Sequence, residues 1–179
     1  MERYFYHGFE GIDVGEGIKQ MLKYIESGHL RERSETDEEL KHICLYRKNE
    51  EVDYDKLSIL ETALSSWIEN CFVFVLSPDL EAEHQPPEKV QGLVDEWRSF
   101  KDIPMDKVVG IALPLDSIQK SLDGESFFSE EEIPVISECL PKLEEVAQEM
   151  GWMIVNSDEK GFTDRLDTEL QKERSKNNT

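Results

Sequence analysis

The run Phe72-Val73-Phe74-Val75-Leu76 constrains this chain more than any other stretch. Its residues are β-branched, aromatic or leucine, and Ser77-Pro78-Asp79 stops it. A strand with no polar residue on either side of its pleat needs cover on both faces. The run is therefore expected to be the central strand of a sheet, with other elements packed above and below it.

The remaining periodicities supply those elements. Residues 4–6 read as a short aromatic strand leading into His7-Gly8. Ile43-Cys44-Leu45-Tyr46, Val108-Val109-Gly110-Ile111-Ala112-Leu113 and Trp152-Met153-Ile154-Val155 read as further strands, the second ended by Pro114. Ile18, Met21, Leu22 and Ile25 recur at helical spacing, with Gly28 as the C-cap. Leu57, Leu60, Leu64, Trp67 and Ile68 mark a second helix, capped by Asp53 or Asp55. A long helix is expected over residues 130–150, with Ile136, Leu140, Leu143, Ala147 and Met150 on its face and Gly151 as its stop. Glu130-Glu131-Glu132 suits its N-terminus, where the helix dipole favours acids. Phe162, Leu166 and Leu170 suggest a short terminal helix before a frayed polar tail over 171–179. Residues 49–55, 81–88 and 116–129 read as loops, and the charged stretch 31–39 as a loop or a helix end. The stretch 90–97 fits a helical face, while Glu96-Trp97-Arg98-Ser99-Phe100 also alternates as a strand. We favour the strand opening at Glu96, followed by a break at Ile103-Pro104.

With 179 residues, the chain is expected to be one domain, or one domain with a small extension. Its 40 acidic and 20 basic residues leave a net charge of −20. Such a balance argues against a general nucleic-acid ligand, because that binding rests on Lys and Arg neutralising phosphates. It suits a basic protein partner, or mimicry of a nucleic acid. Cys44, Cys71 and Cys139 are odd in number and lack zinc spacing, so they are read as buried thiols in a reducing compartment. No apolar run approaches the roughly 18 residues of a membrane span. Residues 1–4 do not read as a signal peptide. A cytoplasmic protein with no membrane or metal site is the expectation.

Three features in order carry a family resemblance from Tyr4 to Pro114. First comes the strand entering His7-Gly8, with the helix closing in Ser27-Gly28-His29-Leu30. The helix and strand between Leu57 and Leu76 follow. Then come Asp95-Glu96-Trp97-Arg98, Ile103-Pro104 and Val108-Val109-Gly110-Ile111. This layout resembles the ADP-ribosyltransferase superfamily, which uses NAD. The resemblance implies an α+β fold with a mixed, split central sheet flanked by helices. It implies an NAD-binding core over 1–115, a helix-strand-helix extension over 116–170, and ADP-ribose transfer to a macromolecular acceptor. By analogy, it suits a bacterial or phage effector.

The implied roles follow the chemistry. Glu96 would stabilise oxocarbenium character on the ribose and orient the acceptor. His7 would hydrogen-bond the adenosine ribose, and Gly8 would let the backbone reach the nicotinamide amide. Tyr46 would stack on the nicotinamide, with Tyr54 as the runner-up. Ser65 or Ser66 would supply a small hydroxyl. Arg31, Arg33, Arg47 and Lys48 would neutralise the pyrophosphate. The chain departs from the family pattern in having Phe9 after His-Gly, and no Ser-Thr-Ser or Glu-x-Glu element. These departures also fit a member that binds without transferring. The competing reading is a non-enzymatic interaction or inhibitor protein whose acidic surface engages a basic partner. A third is a regulatory domain with no ligand.

Overall fold

Phe72–Leu76 forms strand β4, buried at every position. The computed structural model describes residues 3–9, 13–30, 42–47, 72–85, 96–127, 129–159 and 161–178. In chain order the elements are β1 (Phe5–Phe9), α1 (Val14–Ser27), β2 (His29–Leu30), β3 (Ile43–Tyr46), β4, β5 (Glu83–His84), β6 (Glu96–Ser99), β7 (Ile103–Pro104), β8 (Val108–Leu113), α2 (Leu115–Leu122), α3 (Ser129–Met150), β9 (Met153–Asn156) and α4 (Phe162–Asn177). A seven-stranded sheet runs β5-β6-β3-β1-β4-β8-β9, and β2 pairs β7 in a separate ribbon. Only the β8–β9 pairing is parallel among the described strands, so the sheet is mixed and the fold is α+β.

Alternation along β4 explains its double cover. Phe72, Phe74 and Leu76 join Phe5, Leu45, Ile111 and Leu113 in the larger core, beneath α1 and α3. Val73 and Val75 join Tyr4, Tyr6 and Ala112 on the opposite face, beneath Phe162, Leu166 and Leu170 of α4. Each face thus buries its own set of side chains, at about 1.5–3 kcal/mol for each large apolar residue removed from water.

Local chemistry sets the helix ends. Asp13 caps α1 by accepting from the Glu16 backbone N–H at 2.8 Å, and Gly28 closes the helix at φ 84°. Gly151 closes α3 at φ 69°. Pro134 and Pro141 lie inside α3 on its exposed side, where each removes one helix donor.

Several expectations need correction. β1 does not stop at Tyr6; pairing with β4 carries it through His7 and Gly8 to Phe9. The expected loop over 81–88 contains the two-residue strand β5. The break at Ile103-Pro104 is itself a strand, pairing with His29 and Leu30. The expected loop over 116–129 contains α2, whose first turn is capped from a distance. Asn156 Oδ1 accepts from the Leu115 N–H and Asp158 Oδ2 from the Ser117 N–H, both 41 residues on. Met150 is 49% exposed rather than in the core, while Cys139 is buried on α3. The polar tail continues α4 to Asn177 instead of fraying at 171. Residues 31–39, 49–55 and 86–95 and the helix expected around Leu57 and Ile68 lie outside the described residues.

Candidate functional site

The strands carrying His7, Tyr46 and Glu96 are neighbours in the sheet, in the order β6-β3-β1. Positions that are distant in sequence therefore meet. Glu96 stands in register with Tyr46, and Tyr46 with Tyr6. Two strand spacings put the backbone of Glu96 about 10 Å from that of Tyr6. His7 is one pleat step further along β1, between Phe5 and Phe9, which belong to the α1 side of the sheet. Tyr46 packs against the α4-side core. The pleat thus assigns His7 to one face and the Tyr6-Tyr46 pair to the other.

The two sets meet at the β1–β3 junction. Among the described residues, β1 pairs β4 through five residues but β3 through one pair, Tyr6↔Tyr46. Continuing that register would next bring Gly8 opposite Cys44. Instead, His7 Nδ1 lies 2.8 Å from the Cys44 carbonyl. A carbonyl only accepts, so Nδ1 carries the proton here and, in the neutral ring, Nε2 carries the lone pair. The imidazole takes up a ladder acceptor at the point where the two strands part.

Gly8 sits inside β1 opposite Val73 and has no positive φ, so no turn requires a glycine there. The next strand places Arg98 in register with Cys44, and Glu83 of the edge strand stands opposite Arg98. Gly8, Cys44, Tyr46 and Arg98 are all half-buried, whereas Tyr4, Tyr6, Val73 and Val75 on the same face are buried. A partly open strip thus runs across β1, β3 and β6 beside the area that α4 covers.

Arg47 sits on the other side. Its Nε donates to the Arg3 carbonyl at 3.1 Å and its Nη2 to the Pro78 carbonyl at 3.2 Å. Its guanidinium carbon lies 4.3 Å from the Phe5 ring centroid and 5.6 Å from that of Trp97. Burial lowers its pKa from the usual arginine value; the Arg3 charge adds to this and Asp167 opposes it. These contacts tie the end of β3 to β1 and to the loop after β4. Arg31, Arg33, Lys48, Tyr54, Ser65, Ser66 and Cys71 lie outside the described residues.

The wall of the strip is held by a buried polar latch. Asp167 of α4 accepts from the Tyr4 backbone N–H at 3.3 Å and from the Tyr6 hydroxyl at 3.4 Å. Burial, reinforced by the acids of α4, pushes the Tyr4 phenol up to about 12. Burial and then Asp167 push Tyr6 well above the usual tyrosine value. Both folded values exceed the unfolded value near 10, so the folded state holds these protons more tightly. The stabilisation is complete below about pH 10 and is lost as pH rises toward about 12. Unfolding by urea at stepped pH is expected to show falling stability above about pH 10, with a shallower fall in Tyr6→Phe. Equal slopes in both proteins would place the alkaline transition elsewhere.

No group of three or more His, Cys, Asp or Glu among the described residues could hold a metal ion. Among the same residues, no helix is long and apolar enough to cross a membrane. No protein-family model matches this chain, and no curated protein is significantly similar to it.

Proposed function

We propose that the chain binds NAD at the junction of β1 and β3 and transfers its ADP-ribose to a macromolecular acceptor. The β1–β3 junction, with the His7 imidazole bonded to the Cys44 carbonyl, is the observation that carries this reading. That junction lies next to the strands that carry His7, Tyr46 and Glu96. The bond from Nδ1 orients the ring, and the His7 imidazole is the group assigned to a ribose hydroxyl. Tyr46 offers an aromatic face, and Glu96 is the carboxylate in register with it.

The bond broken is the glycosidic bond from the ribose C1′ to the nicotinamide nitrogen. The bond formed joins C1′ to a nucleophile of the acceptor. Nicotinamide leaves with the bonding electron pair, and Glu96 takes the acceptor's proton while countering positive charge on the ribose. The acidic chain favours a protein acceptor, or a small molecule, over nucleic acid.

A thermal-shift titration with NAD on wild type and His7→Ala tests the binding step. Saturation at about 100 times the dissociation constant adds roughly 2.7 kcal/mol, which is about 5–10 °C for a chain of this size. The shift is expected in wild type and lost in the variant. Its absence from wild type would remove the NAD reading.

The acidic interaction protein is the second reading. The outward side of α3 favours it, since Glu130, Glu131, Glu138, Glu144, Glu145 and Glu149 are all exposed there. It requires capture of a basic partner that weakens steeply with salt and survives His7→Ala plus Glu96→Gln.

A further inference from the structure

We infer that the outer edge of β9 docks an extended, basic segment of a partner protein, which joins the sheet as an additional strand. The sheet ends in β5 on one side and β9 on the other. β5 is two residues long and includes the charged Glu83. Short length and charge are the usual protection of a sheet edge against stray pairing. β9 runs over Met153-Ile154-Val155-Asn156, with no charge and no proline. Three strand positions separate it from β1, so this surface is independent of the proposed NAD site.

The backbone groups that point outward follow from the bonds that point inward. The Ser157 N–H donates to the Leu113 carbonyl at 2.9 Å, beside the parallel pairing of β8 and β9. Alternation then turns the N–H and carbonyl of Val155 toward β8, and those of Ile154 and Asn156 away from it. The Asn156 carbonyl accepts from the Glu159 N–H at 3.3 Å. Among the described residues no strand lies beyond β9, so the Asn156 N–H and both Ile154 groups face the open edge. An antiparallel visitor exchanges two bonds with Ile154.

Exposed apolar side chains follow the same edge. Ile154 shares the α3 side of the sheet with its register partner Ile111, yet it is 38% exposed. Met150 ends α3 just before β9. Leu115 opens α2 beside the far end of β9, where its N–H donates to Asn156 Oδ1 at 3.1 Å. Both are exposed, so apolar surface brackets one unpaired strand edge, as at interaction sites.

Charge selects the occupant. Glu149 is exposed at the end of α3 that leads into β9, and Asp116 and Asp158 are exposed at the other end of the strand. Asp116 Oδ1 accepts from Asn156 Nδ2 at 3.1 Å, and Asp158 Oδ2 from the Ser117 N–H at 2.9 Å, which holds both carboxylates there. Glu159 is ion-paired with Arg165. A second copy of the chain would set the same acids against these, on a molecule of net charge −20, so self-pairing is opposed. A segment with a branched apolar residue at its centre, beside Ile154, and Lys or Arg toward its ends meets both demands.

Fluorescence anisotropy with a labelled Lys-Lys-Val-Ile-Val-Lys-Lys peptide tests this, alongside the same peptide N-methylated at its isoleucine and a version with Glu for every Lys. Wild type is expected to bind the first peptide, with the Ile154 and Asn156 amides slowed in hydrogen exchange, and to reject the acidic one. N-methylation should weaken binding roughly three- to tenfold, because it removes one backbone bond. Ile154→Lys should weaken it about tenfold or more. Asp116→Asn plus Asp158→Asn should weaken it roughly threefold, an effect that shrinks in high salt. Ile154→Thr, with a smaller loss expected, replaces Ile154→Lys if that variant does not fold.

No binding of the basic peptide by wild type would overturn the inference. Equal affinity for the N-methylated peptide, or undiminished affinity in Ile154→Lys, would also overturn it, since either marks attraction by bulk charge alone. A wild-type dimer in sedimentation that is lost in Ile154→Lys would overturn it in favour of a second copy at this edge.

Discussion

Phe74→Ala is expected to destabilise the protein by about 3–5 kcal/mol, lowering its melting temperature by roughly 10 °C or more. Phe74 is fully buried on β4, and its ring centroid lies 6.0 Å from those of Phe9 and Tyr24. It therefore joins three elements, β1, α1 and β4, within one cluster. Truncation removes a large apolar surface and leaves a cavity that neither the sheet nor α1 can close. Urea unfolding should show a lower midpoint at unchanged slope. A loss below about 1 kcal/mol would mean that α1 does not seat on this strand.

Gly17→Ala is expected to cost about 3 kcal/mol, against the trend for glycine in helices. Replacing a glycine in an exposed helix by alanine normally stabilises by about 1 kcal/mol. Here an added Cβ would stand 2.1 Å from Phe72 Cε2 and 2.5 Å from Phe72 Cζ. The Phe72 ring is fully buried, so it cannot swing into solvent. The helix must lift off the sheet instead, loosening the contact between α1 and β4. The check is a double-mutant cycle with Phe72→Leu. The smaller side chain should recover a good part of the loss, and a stabilised Gly17→Ala would show that the helix does not press on this ring.

Periodicity exposed the parts of the fold whose reasons are local. β4 was readable because an uninterrupted apolar run has few other uses in a mixed fold. α1 was readable from its apolar spacing and from Gly28, whose φ of 84° favours glycine. α2 was not readable, because its first turn is capped by Asn156 and Asp158 rather than by a neighbour in sequence. The length of α4 was underestimated because its last turns are polar, and composition there does not separate an exposed helix from a coil.

The candidate site divides in the same way. His7, Gly8, Tyr46 and Glu96 stood out from residue type and order, and the strand reading at Glu96 agrees with β6. Arg98 carried no such signal, although alternation from Glu96 already implied a shared side. The role expected of Arg47 depended on which side of β3 it occupied, and a one-residue step along a strand reverses that side. Pairing partners are needed to know the register, and β6 comes from more than fifty residues later in the chain than β3.

By itself, the sequence determined the α+β composition, the doubly covered central strand, the acid balance and the caps written by nearby residues. These follow from backbone preference and from apolar spacing within a few turns or a single strand. Tertiary structure alone decided that β6, β3 and β1 are neighbours, that His7 bonds the Cys44 carbonyl across the β1–β3 junction, and that Arg47 and Arg98 occupy opposite sides. The physical reason is that strand pairing joins segments far apart in the chain. Its register is selected by which pleat face can be buried, a choice made by the whole core at once.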